Sequence, residues 1–115
     1  MTEEDLEKEI TRIARGFSEV TECEDKEGRR IFRRKASLED EGDGKIFLVV
    51  WKGKRPLRLE MRCDRRLGQV LQERYESVMQ SRALARNGIE VICSGQLSDD
   101  EIVDLVRHSY ELSLE

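Results

Sequence analysis

Gly88-Ile-Glu-Val-Ile-Cys-Ser-Gly-Gln-Leu-Ser-Asp-Asp-Glu-Ile-Val-Asp-Leu-Val-Arg-His-Ser-Tyr110 reads as three consecutive parts. Ile89 to Ser94 has the composition of a short strand, Gly95 supplies a turn, and Ser98-Asp-Asp-Glu101 is a complete capping box. In such a box the serine hydroxyl accepts the backbone N–H three residues on, while the glutamate reaches back to the serine N–H. Leu97 and Ile102 flank the box at hydrophobic-staple spacing, and Asp99 and Asp100 favour the positive end of the helix dipole. Ile102, Leu105, Val106, Ser109 and Leu112 then recur at helical spacing and form an inward stripe. A strand feeding a capped amphipathic helix through a tight turn sets an α+β expectation for the whole chain.

Upstream, Lys45-Ile-Phe-Leu-Val-Val-Trp-Lys52 is apolar on both faces and bounded by lysines, as a central strand is. After a turn at Gly53-Lys-Arg-Pro56, Leu57, Leu59, Met61 and Cys63 alternate with Arg58, Glu60, Arg62 and Asp64. That alternation predicts a strand with one buried and one wet face. Asp64 is placed to cap a second helix, whose inner stripe reads Leu67, Val70, Leu71, Tyr75 and Val78. Met79 to Asn87 has no clear period; Ala83-Leu-Ala is compatible with a helical turn. At the N-terminus Thr2 and Asp5 form a short-armed capping box ahead of Leu6, Ile10, Ile13, Ala14 and Phe17, with Gly16 near the helix end. Between Val20 and Ser37 two edge-like strands flank a turn at Asp25 to Gly28, and Ser37 to Gly44 reads as a hairpin loop. The expected architecture is therefore α+β: one compact domain over 1–115, an antiparallel sheet of about five strands, and helices at the N-terminus, after strand 4 and at the C-terminus.

Four pieces in this order carry a family resemblance: Gly44-Lys-Ile-Phe47, Leu59-Glu-Met-Arg-Cys-Asp64, Leu71-Gln-Glu-Arg-Tyr-Glu-Ser-Val78 and the block from Gly95 to Tyr110. Together they resemble the MmcQ/YjbR family of small bacterial proteins over roughly Gly44 to Leu112. The resemblance implies an antiparallel sheet packed against helices and a DNA-binding role, by analogy with double-wing DNA-binding and secretion-chaperone-like folds. The chain departs from the family at two points. Asn87-Gly88 stands where relatives carry a bulky aromatic, often His-Trp, and Gly-Phe-Ser replaces a Pro-Gly near the end of the first helix.

Charged residues make up 40% of the 115 residues and the net charge is −4. The sign is unevenly spread: residues 1–28 carry −6, residues 29–66 carry +7 and residues 67–115 carry −5. A basic sheet between acidic helical ends suits contact with a phosphate backbone. The candidate nucleic-acid contacts are Arg30, Arg33, Arg34, Lys52, Lys54, Arg55, Arg58 and Arg62. Arg65 and Arg66 join them: cations there oppose the dipole of the second helix but can assemble a phosphate site with Arg62. The competing reading pairs these arginines with the acidic helices of the same molecule or leaves them as a solvated face. A protein-interaction or chaperone-like module meeting an acidic partner is the alternative function.

No enzyme chemistry is spelled out. His108 is the single histidine, and no phosphate loop, nucleophile elbow or paired-carboxylate motif appears. Asp40-Glu-Gly-Asp-Gly44 lacks the ligand register of a calcium loop. Cys23, Cys63 and Cys93 are odd in number and widely spaced, so they read as small buried apolar residues rather than a disulfide or metal framework. The longest apolar run, Ile46 to Trp51, is far below the ~20 residues of a membrane span. The expectation is a cytoplasmic, monomeric, non-enzymatic domain without cofactor or metal, whose partner is DNA or an acidic protein.

Overall fold

The two capping boxes read from the sequence are both formed. In the computed structural model, which describes residues 2–35, 44–53 and 55–114, Thr2 and Asp5 close the start of α1 (Glu3–Gly16) and Ser98 and Glu101 that of α3 (Asp99–Ser113). Asp64 caps α2 (Arg65–Arg74) by accepting the Leu67 N–H. Six strands complete the chain: β1 (Val20–Glu24), β2 (Arg29–Arg34), β3 (Lys45–Trp51), β4 (Arg58–Arg62), β5 (Val78–Ser81) and β6 (Ala85–Ile92). They form one antiparallel sheet in the order β1-β2-β3-β4-β6-β5. The hairpin loop expected over Ser37 to Gly44 falls largely on 36–43, outside the described residues.

The sixth strand corrects the expected count of about five. Val78 continues the helical spacing of Leu67, Leu71 and Tyr75, but α2 stops at Arg74 and Tyr75 is already extended. Val78 then opens β5 and faces Val91 of β6. The inner stripe of α2 is corrected with it. Leu67 and Val70 lie 36% and 50% exposed, while Gly68 and Leu71 face the core. A Cβ on Gly68 would stand 3.4 Å from the Ile89 side chain, so the bare backbone there lets α2 lie close on β6. Of the cysteines, Cys63 and Cys93 are buried as expected, but Cys23 is exposed on the edge strand.

Register places the core. Leu48, Met61 and Ile89 oppose one another, as do Val50, Leu59, Val91 and Val78, and these rows face the helices. A bulge sets Phe32 against Leu48 but Arg33 against Ile46, so Phe47 is an extra residue. Phe47 therefore also turns to the helix side, where it meets Phe17 and Tyr110 edge-on. The same bulge parts β3 from β4 beyond the Leu48–Met61 pair, leaving two backbone groups without strand partners. Ser109 of α3, fully buried, fills the gap: its hydroxyl accepts the Arg62 N–H at 2.7 Å and donates to the Phe47 carbonyl. Ser109→Ala removes both bonds from a dry site and is expected to lower the unfolding free energy by about 2 kcal/mol. Urea unfolding measures it; a change below about 0.5 kcal/mol would mean that the strands close up without the hydroxyl.

Candidate functional site

The sheet face turned away from the helices is not the simply wet surface that alternation predicts. Val49, Glu60, Glu90 and Met79 form its central row, and Glu60 and Glu90 are 0% and 1% exposed. The turn after β5 folds over Glu60: one carboxylate oxygen accepts the Ser81 hydroxyl and the Arg82 and Ala83 N–H groups at 2.9, 2.9 and 3.0 Å. Its other oxygen accepts the Trp51 indole N–H at 3.0 Å. Burial raises the pKa of Glu60, yet the donors from Ala83, Ser81, Trp51 and Arg82 outweigh it and hold the group below the ordinary glutamate range. Glu90 is paired with Arg58 at 3.4 Å. This is a paired set of buried acids that no local sequence motif announces. With every Glu60 oxygen engaged, its chemistry is that of an anchor.

The basic residues expected at the site divide between the two ends of the sheet. At the end where β2 begins and β3 finishes, cations are matched by carboxylates. Arg30 meets Glu22 at 2.5 Å and Lys52 meets Glu24 at 3.1 Å. Arg55 lies 3.6 Å from Glu3 of α1, and Arg58 reaches Glu90. Arg29 is held by Asp25 and lies 5.1 Å from the Trp51 ring centre. Glu22 is itself shared with Arg15, and the two arginines keep its pKa low. Lys54 lies outside the described residues.

The opposite end collects β2's finish, β3's and β6's starts and the first turn of α2. Here the arginines have no carboxylate within ion-pair distance among the described residues. Arg33 donates to the Cys23 sulfur at 3.3 Å. Arg34 donates to the Ser113 carbonyl at the end of α3, and its Nε is buried without a partner among the described residues. Arg62 is half-buried; its Nε donates to the Ile46 carbonyl at 2.6 Å and desolvation lowers its pKa. Arg65 and Arg66 are exposed on the first turn of α2, and Arg86 is exposed on β6. The sequence reading missed Arg86, because its strand and neighbours were unassigned. Arg30 and Arg34 face the helices, whereas Arg58 and Arg62 sit on the other face, so the four do not share one surface.

Between α2 and the β5–β6 hairpin, a crevice of about 140 Å³ is lined by Arg65, Arg86, Gln69, Gln72 and Gln80 over a floor that includes Ile89. Two arginines and three glutamines line it together with Asp64, which caps α2 through the Leu67 N–H, so the cations outnumber the carboxylate two to one and the set can hold an anionic oxygen. Residues 36–43, which link β2 to β3 in the sequence and include Glu39, Asp40, Glu41 and Asp43, lie outside the described residues. Among the described residues, no cluster of His, Cys, Asp and Glu is placed to hold a metal ion. No described helix is long and apolar enough to cross a membrane.

The chain is an α+β domain with three helices on one face of a six-stranded antiparallel sheet. No family model matches the sequence, and no curated protein matches it. Among solved structures, the chain is similar to protein DR2400 of Deinococcus radiodurans, which carries a DUF419 domain. The TM-score is 0.78 at 18% identity, over 91% of this chain and 75% of the other. At that identity the likeness is one of fold.

Proposed function

We propose that this chain is a non-enzymatic domain of MmcQ/YjbR type that contacts nucleic-acid phosphates through the end of its sheet formed by Arg62, Arg65, Arg66 and Arg86. The family assignment rests on the sequence resemblance and on the fold shared with DR2400, whose DUF419 domain is of YjbR-like kind. The site rests on one observation: cations at one end are neutralised by carboxylates, whereas the arginines at the other have none within reach among the described residues. A phosphate beside Arg65 and Arg86 would gain two charge-assisted donors and the positive pole of α2. Few aromatics are exposed for stacking, so the contacts carry little sequence preference.

Fluorescence anisotropy with duplex and single-stranded DNA between about 20 and 200 mM salt tests this. Three to four neutralised phosphates predict a slope of about −3 in log affinity against log salt. Arg65→Ala/Arg66→Ala/Arg86→Ala is expected to weaken binding at least ~10-fold at low salt, while Lys52→Ala/Arg55→Ala leaves it unchanged. No affinity at about 20 mM salt, or equal losses in the two variants, would overturn the assignment.

A second reading, a module for an acidic protein partner, is favoured by the other sheet face. There the partly exposed Ile31, Ile46 and Trp51 lie beside Arg29, Arg33 and Arg58, a mixture typical of protein interfaces. Salt-sensitive binding of polyglutamate without DNA binding would select it.

A further inference from the structure

Leu67 and Val70 are, with Leu114, the large hydrophobic residues left exposed among the described residues. Both lie on α2, three positions apart, on the side away from the sheet. A groove of about 300 Å³ runs between α2 and α3; Leu67 forms part of its rim, with Leu71, Leu97 and Leu105 also in its lining, and Val70 lies just outside it. Its α3 wall presents Glu101, Asp104 and His108. The His108 Nε2 is buried and has no hydrogen-bond partner among the described residues, so this wall also holds an unmet polar atom. Arg66 and Arg74 bracket Leu67 and Val70 along α2.

One molecule thus carries an apolar ridge, Leu67 and Val70, flanked by Arg66, Glu73 and Arg74, which runs along the rim of an apolar groove whose far wall carries carboxylates. A two-fold rotation brings the ridge of each copy to the groove of the other and forms every contact twice. We propose that the chain forms an isologous dimer in which α2 of each copy seats against the α2–α3 groove of the other. Val70 lies close to the axis, Leu67 covers the groove, and Arg74 faces Glu101 and Asp104 of the second copy. The charge match selects a second copy, because the acidic wall suits a helix of net positive charge and α2, with Arg65, Arg66 and Arg74 against Glu73, is one. The small apolar patch sets a weak, micromolar association rather than an obligate one. Such a dimer differs from the monomer expected from the sequence, and it is independent of the nucleic-acid reading.

Sedimentation velocity of the full chain over about 5 to 500 μM, at low and high salt, is the test. The expected result is a concentration-dependent shift from monomer to dimer that salt weakens. Val70→Glu, at a half-exposed position that leaves the thermal midpoint in place, weakens association at least ~10-fold. Arg74→Glu and Asp104→Arg each weaken it, and the double variant restores it to within about threefold of the original. A monomer at every concentration, a dimer indifferent to Val70→Glu, or a double variant no better than its parents would each overturn the dimer.

Discussion

Glu60→Ala is expected to remove about 3–4 kcal/mol of unfolding free energy, a large share of what a domain of this size has. The loss does not come from the carboxylate's own burial. It comes from the Ser81 hydroxyl, the Arg82 and Ala83 N–H groups and the Trp51 indole, all of which lose their acceptor together. Glu60→Gln should recover only part of the loss, since its amide nitrogen must face a donor whichever way it is turned. The effect carries a pH signature. The folded-state pKa of Glu60 is depressed, so its contribution is fully present above the ordinary value of 4.5 and disappears as pH falls through the lower folded value. The gap between wild type and Glu60→Gln therefore narrows in acid. Chemical unfolding of both proteins from neutral pH downward measures this; a gap that stays constant, or an alanine variant within about 1 kcal/mol of wild type, would show that solvent meets these donors instead.

Gly88→Ala should be nearly as damaging, at about 3 kcal/mol. A Cβ at this position would stand 2.6 Å from the Met61 carbonyl oxygen and 2.7 Å from Leu84 Cβ. The carbonyl belongs to the β4–β6 ladder and cannot retreat without parting the strands. Asn87 is different. It is exposed, and its backbone carbonyl already serves the Cys63 N–H at 3.0 Å. Asn87→Trp should consequently fold with little loss, so an aromatic side chain is expected to be tolerated at position 87 and not at position 88. Thermal unfolding of the two variants checks both statements, and an unperturbed Gly88→Ala would refute the steric argument.

How far the sequence reaches follows from these residues. α1 and α3 were legible because capping is local: Thr2 with Asp5 and Ser98 with Glu101 lie within one helical turn of each other. β3 and β4 were legible because uninterrupted or alternating apolar residues have few other readings. β5 was hidden because Val78 happens to continue a helical period, and four residues are too few to display their own. Glu60 read as a wet residue because the groups that bury it arrive about twenty positions later, in a turn without a motif. The basic segment between 29 and 66 was visible as composition, but which of its arginines meet carboxylates depends on β1 and α1, which pair off Arg30, Lys52 and Arg55. Arg86 could be added only once β6 had placed it beside α2.

The strand order has a consequence for biosynthesis. β6 is made after β5 yet inserts between β5 and β4, so a ribosome that has released the chain only to Arg62 presents β4 as an unfinished margin. On such a margin Arg58, Glu60 and Arg62 would share one face, and charges on an unpaired strand disfavour pairing with a wrong neighbour.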